Sequence, residues 1–197
     1  MAATIQFWFE FASTYSYLSA MRIEQVAAEK DVAIDWQPFL LGPIFADQGW
    51  TTSPFTIYPA KGRYMWRDME RLCAARALPF QRPDPFPQNS LTAARLALAI
   101  PEQNQRATFT RAIYSAEFGD GRDISSASTL TNCLEAAGLP ASFLDMAQDP
   151  AVKAALFDQT DRAKTLGLFG APSFLAGDEV FWGDDRLRDA INHASSI

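Results

Sequence analysis

The sequence predicts an α/β fold in which a small sheet-containing unit is interrupted by a long all-helical insertion. Three observations carry that expectation. A continuous apolar run opens the chain, strand signals return only in the last thirty residues, and the stretch from residue 60 to 168 between them carries helical periodicity. At 197 residues the chain can bury one good core with a small domain inserted in it.

The first element is Thr4 to Phe11, rich in β-branched and aromatic residues, which suits a strand covered on both faces. Leu18, Met21, Ile23 and Val26 then fit one helix from Tyr15 to Lys30, closed by Asp31, and Val32 to Phe39 reads as a second strand. Residues 40–59 hold Gly42, Pro43, Gly49, Pro54 and Pro59 and read as a long loop, of the kind that often carries function. A helix is expected over Lys61 to Arg76, with Met65, Met69 and Leu72 on its core stripe, followed by the proline-rich stretch Pro79 to Pro87. Further helices are expected over Ser90 to Ala99, Glu102 to Phe118, Ser126 to Ala137 and Pro150 to Leu168. Ser173 to Ala176 and Glu179 to Trp182 flank Gly177-Asp178, a hairpin signal, and Asp184 suits the N-cap of a short terminal helix.

The bulk numbers exclude several function classes. Seventeen basic against 23 acidic residues give a net charge of −6 with no basic stripe, which argues against nucleic acid as a partner. No window reaches eighteen apolar residues, and the N-terminus shows no basic segment followed by an apolar run, so neither a membrane partner nor a leader is expected. Cys73 and Cys133 lie far apart inside helical patterns, as reduced and inert thiols of a cytoplasmic protein would. The single histidine, His193, falls in the last helix, which makes a Ser-His-Asp hydrolase improbable. No metal ligand set is expected.

The order β-α-β, helical block, β-β-α, with Gly-Ala-Pro ahead of the closing hairpin, resembles the thioredoxin fold with a helical insertion. Where disulfide oxidoreductases of that fold carry Cys-x-x-Cys, this chain has Ser13-Thr14-Tyr15-Ser16. The stretches "FEFASTYSYL", "PFLLG", "YPAKGRYMWRDMER", "PFPQNSL", "FGAPSF" and "FWGDDRL" together resemble the 2-hydroxychromene-2-carboxylate isomerases, relatives of the kappa-class glutathione transferases. The resemblance implies residues 1–42 and 169–197 as a discontinuous thioredoxin-like domain and residues 43–168 as the loop and helical insertion. It also implies glutathione as cofactor, a small aromatic substrate and a homodimer.

Residue by residue, the resemblance makes Ser13 the group that stabilises the glutathione thiolate, although residue type alone would favour a helix cap. Physically the site is suitable. A helix N-terminus contributes about 0.3–2 kcal/mol to an anion, and a hydrogen bond to a charged group about 1.5–3. At about 1.4 kcal/mol per unit, a thiol that titrates near 8.5 when free could fall by roughly one to three units. By the same resemblance Pro172 is a cis-proline, Ala171 offers its backbone to the glutathione peptide, and Asp184 and Asp185 meet the γ-glutamyl ammonium and carboxylate. Lys61 is a further glutathione contact, and Tyr64, Trp66 and Asn89 are expected around an aromatic substrate. Thr14 replaces the proline that often follows the serine, and Trp50 stands where relatives often carry a glutathione-touching asparagine.

The implied reaction is addition of the glutathione thiolate to a conjugated enone, rotation about the former double bond, and elimination that regenerates the thiol. Three rival readings stand beside it. They are a kappa-like transferase or peroxidase that consumes glutathione, a non-catalytic thioredoxin-fold binding module, and disulfide exchange through Cys73 or Cys133.

Overall fold

The computed structural model describes residues 3–197. Strand β1 (Thr4–Phe9) is the spine of a four-stranded sheet of order β2-β1-β3-β4. It pairs in parallel with β2 (Ala33–Pro38) and antiparallel with β3 (Ser173–Ala176), which turns back through the expected hairpin into β4 (Glu179–Trp182). The near-continuous apolar run of β1 is explained by cover on both faces. Phe7 and Phe9 enter the main core, whereas Trp8 enters a second cluster with Phe39, Ile44, Ala163, Leu168 and Leu175.

Helices α1 (Thr14–Ala20) and α2 (Ile23–Ala28) replace the single helix expected over 15–30. The break falls at Arg22, whose backbone (φ −135°) leaves the helix while its guanidinium reaches Asp184 near the other end of the chain. The region expected as loop over 40–59 contains α3 (Leu41–Asp47) and the short α4 (Pro54–Ile57). Prolines are tolerated here because they lie in first turns, Pro43 in α3 and Pro54 just after the Ser53 cap in α4.

The insertion continues with α5 (Pro59–Ala75), α6 (Leu91–Ala99), α7 (Gln103–Tyr114), α8 (Ala127–Ala136) and α9 (Pro150–Thr165). The helix expected to reach Phe118 ends as α helix at Tyr114 and widens into a π turn over Ser115–Gly119, and an unforeseen 3₁₀ segment, Ala141–Gln148, joins α8 to α9. Asp184 is not an N-cap. It opens a 3₁₀ turn (Asp184–Arg186) ahead of α10 (Leu187–Ala194), and Gly183 precedes it with φ 104°, a conformation that favours glycine. One core runs from Phe7 and Phe174 of the sheet through Met65, Phe109 and Leu134 of the insertion, so both parts share a single apolar interior.

Candidate active site

A cavity of about 1530 Å³ lies between the α1 end of β1 and the insertion. Its floor is the turn from Ala12 to Tyr15 together with residues 169–172. One wall is the face of α5 that carries Lys61, Tyr64, Asp68, Leu72 and Arg76, and the far end is residues 182–186. These α5 positions recur three and four apart, so they form one stripe beside the buried stripe of Met65, Met69 and Cys73.

Ser13 is both a cap and a cavity residue. Its backbone is extended (φ −95°, ψ 113°), Oγ accepts from Ser16 N at 3.3 Å, and the hydroxyl donates to Ala171 O at 2.9 Å. The Ala171–Pro172 bond is cis, and Pro172 O accepts from Gly183 N at 2.9 Å. The hydroxyl, the Ala171 carbonyl and the backbone that leads to Asp184 are therefore tied into one surface.

Glu10 holds this surface from below. It is 6% exposed, Oε2 accepts from Leu41 N at 2.9 Å and Oε1 from Ala12 N at 3.4 Å, while its backbone carbonyl accepts from Ser13 N and from Tyr114 Oη. Burial pushes its carboxyl up, opposed by the Ser90 hydroxyl and by these N–H groups. Tyr15 Oη donates to Asp68 Oδ2 at 3.0 Å, and burial together with that carboxylate raises the Tyr15 phenol.

Lys61 lines the cavity with its ammonium over the Tyr58 ring, 5.6 Å from the centroid. Tyr64 and Asn89 also line it, Asn89 with its carbonyl oxygen already accepting from Leu91 N. Trp66 does not. It packs edge-on against Phe86 at 4.7 Å beneath Arg82, so it supports a cavity residue from behind because its position on α5 is rotated off the lining stripe. Trp50 does line the cavity, packed against Phe45, and so do Phe169 and Trp182, whose ring centroids lie 4.9 Å from each other.

Asp184 is 5% exposed and its carboxylate is fully engaged. Oδ1 accepts from Ser19 Oγ at 2.9 Å and from Arg22 Nε and Nη2 at 3.2 and 3.1 Å, and Oδ2 accepts from Arg76 Nη2 at 2.6 Å. Asp185 is exposed and pairs with Arg186. Sequence reasoning missed Glu10, Asp68 and Arg76. For Asp68 and Arg76 the signal was available, because they continue the spacing of Lys61 and Tyr64.

The model of the DSBA-like thioredoxin domain matches residues 4–193. A 2-hydroxychromene-2-carboxylate isomerase of Sphingobium xenophagum is 31% identical over 189 residues, covering 95% of each chain. The chain belongs to the 2-hydroxychromene-2-carboxylate isomerase family. A solved 2-hydroxychromene-2-carboxylate isomerase superposes with TM-score 0.86 at 24% identity, covering 93% of this chain and 90% of that one. A probable DsbA oxidoreductase of Streptomyces coelicolor follows at 0.78 and 19%, covering 98% and 90%. The fold is thus thioredoxin-like with a helical insertion, as the element order implied.

This member carries no redox pair at the α1 turn. Its cysteines are buried, and burial pushes both thiols up to about 11, which removes the thiolate that disulfide exchange needs. Among the described residues no His, Cys, Asp and Glu cluster could hold a metal ion, and no helix is long and apolar enough to cross a membrane.

Proposed function

We propose that the protein is a glutathione-dependent isomerase of the 2-hydroxychromene-2-carboxylate type that acts in the breakdown of aromatic compounds. The observation that carries this reading is the convergence of Ser13, the cis Ala171–Pro172 backbone, Lys61, Asp185 and Arg76 on one large cavity with aromatic walls.

The residues present fit the tripeptide. Ala171 would take the peptide backbone, Lys61 would meet a carboxylate, and the far end by Gly183 to Arg186 would meet the γ-glutamyl group. Glutathione bound there supplies a thiolate nucleophile that can add to an enone and be released again.

Ser13 holds that sulfur as a hydrogen-bond donor. Its hydroxyl proton points to Ala171 O and can leave that acceptor for a bound sulfur by rotation about the Cβ–Oγ bond, while Ser16 N keeps the oxygen in place. Because α1 has only seven residues, the helix dipole sits at the low end of its range and the hydroxyl carries most of the stabilisation. Glu10 fixes the Ser13 turn through Ala12 N and its own carbonyl. Trp50, Phe45, Phe169 and Trp182 offer flat apolar faces to an aromatic ring.

The test is an absorbance titration of the thiolate of bound glutathione, with wild type and Ser13→Ala. The expected result is a bound thiol below the free value of about 8.5 that rises by roughly one to two units in the variant. An unshifted thiol in the wild type would sink the activation step. Isomerisation of the chromene substrate with no net consumption of glutathione separates this activity from a transferase.

A further inference from the structure

A 2-hydroxychromene cannot accept a thiolate as an enone until its ring has opened. The carbon that bears the hydroxyl and the carboxylate is also bonded to the ring oxygen, so the carbonyl that would activate the alkene is masked as a hemiketal. Opening takes a proton off that hydroxyl and delivers one to the departing phenol oxygen, transfers that a positioned acid–base group serves. Ser13 is committed to the sulfur, and the single histidine, His193, is not among the cavity residues. Two hydroxyl–carboxylate pairs do line the cavity. In one, Ser90 and Glu10 are 8% and 6% exposed, and the Glu10 carboxylate is already taken by Leu41 N and Ala12 N. Tyr15 and Asp68 differ. Tyr15 stands two residues after Ser13 in the first turn of α1, is half-buried, and donates from Oη to Asp68 Oδ2 at 3.0 Å. The Asp68 side chain is 22% exposed, and its other oxygen meets Arg71 Nη2 only at 3.7 Å.

We propose that Tyr15 is the catalytic group that opens the hemiketal ring, with Asp68 behind it as the acceptor that receives the Tyr15 proton. The assignment rests on the isomerase reading above and adds the step that precedes thiolate addition. In that step the hemiketal O–H bond breaks and its proton passes to Tyr15 Oη, while the Tyr15 proton passes to Asp68. The electron pair left behind forms the ketone, the bond to the ring oxygen breaks, and that oxygen leaves as a phenolate. The proton then returns from Asp68 through Tyr15 to the phenolate, so nothing is consumed and both side chains are reset. A phenol suits this task because its oxygen donates one hydrogen bond, here to Asp68, and keeps lone pairs for the substrate hydroxyl. Burial and the Asp68 carboxylate hold the Tyr15 phenol above its ordinary range, so it enters with its proton on and acts as a carrier, not as a standing base. Asp68 acts only through Tyr15, as its positioning residue. Two hydroxyls of one turn thus divide the work, Ser13 on the sulfur and Tyr15 on the substrate oxygens.

The experiment compares two substrates with the whole protein and glutathione: 2-hydroxychromene-2-carboxylate, and cis-o-methoxybenzylidenepyruvate, whose methylated oxygen cannot close the ring. Wild type is expected to isomerise both. Tyr15→Phe should lose about a hundredfold or more in kcat/KM on the chromene, the scale of general acid–base catalysis, and stay within about twofold on the methoxy compound. Asp68→Asn, which still accepts from Tyr15 but takes no proton, should fall on the chromene alone by a smaller factor, and it covers the case in which the phenylalanine variant does not fold. Equal losses on both substrates overturn the assignment and make Tyr15 a part of the thiolate site. An unchanged chromene rate in Tyr15→Phe overturns it as well, because the ring then opens without the phenol. Wild type that isomerises only the methoxy compound removes the ring-opening role and leaves the thiolate chemistry standing. If wild type isomerises neither compound, the isomerase reading falls and the assignment falls with it.

Discussion

Glu117 buries both carboxylate oxygens with no hydrogen-bond partner, on the π turn that follows α7. Burial raises its carboxyl well above the ordinary range, with the charges of Glu10 and Asp123 adding to the effect. A carboxyl that holds its proton longer in the folded state leaves the folded protein with more bound protons than the unfolded chain, so stability falls as pH rises. The loss begins near the unfolded value of about 4.3, continues up to the folded value, and has a slope of at most about 1.4 kcal/mol per pH unit for each such group. Glu10 acts with the same sign. Glu117→Gln should therefore raise the urea midpoint at neutral pH and flatten its decline above the carboxylate range, with the remaining slope due to Glu10. A variant that keeps the full wild-type slope would show that Glu117 titrates alike in both states. Neither acid was legible as special in the sequence, because their environment comes from α1, α7 and the π turn folding over them. Ser13, Ala171 and Pro172 were singled out only through the resemblance of the stretches around them to the isomerase family, since residue type alone gave a helix cap and a turn. The Arg76–Asp184 contact, 108 residues apart, had no local mark.

Elements marked by periodicity or turn chemistry were easy to anticipate. The Gly177-Asp178 hairpin and the stripe of Met65 and Met69 on α5 are examples, and each depends only on residues a few positions apart. Elements governed by distant contacts were not. The α1–α2 break answers to Asp184, and α3 is held at its start by Leu41 N donating to Glu10. The junction of α4 and α5 shows a similar dependence and gives a test. An added Cβ at Gly62 on α5 would lie 2.3 Å from the backbone oxygen of Phe55 on α4, a contact with no flexible side chain to yield. Both helices border the cavity through Phe55, Lys61 and Tyr64. Gly62→Ala should cost about 1–3 kcal/mol by denaturant unfolding, the scale for overpacking. It should also weaken glutathione binding by moving Lys61. A stable variant with unchanged binding would mean that α4 slides aside at little cost.

For the molecule as a whole, the question is whether an insertion of this size folds as its own unit. The shared core argues that it does not, and Arg106 on α7 shows how the two parts are joined. Its guanidinium is buried and donates to Trp36 O on β2 at 2.9 Å, and to Ile100 O and Leu98 O at the end of α6. One side chain thus satisfies carbonyls of the edge strand and of the insertion together, and Gln103 adds a bond to Asp35 and another to the Trp36 N–H. Burial lowers the Arg106 pKa, partly offset by Asp35, yet arginine stays charged, so the carbonyls are its necessary partners. Arg106→Met keeps much of the bulk but leaves those acceptors without a donor. Hydrogen bonds to a charged group contribute about 1.5–3 kcal/mol each in net terms, and partial hydration of the exposed carbonyls recovers some of that, so a loss of roughly 2–4 kcal/mol is expected. In both wild type and variant, far-UV and near-UV circular dichroism should change in one coincident transition, because neither half retains a closed core alone. Separated transitions in the variant, with helical signal persisting after the sheet tryptophans Trp8 and Trp36 lose theirs, would show that Arg106 and not the apolar core couples the two parts.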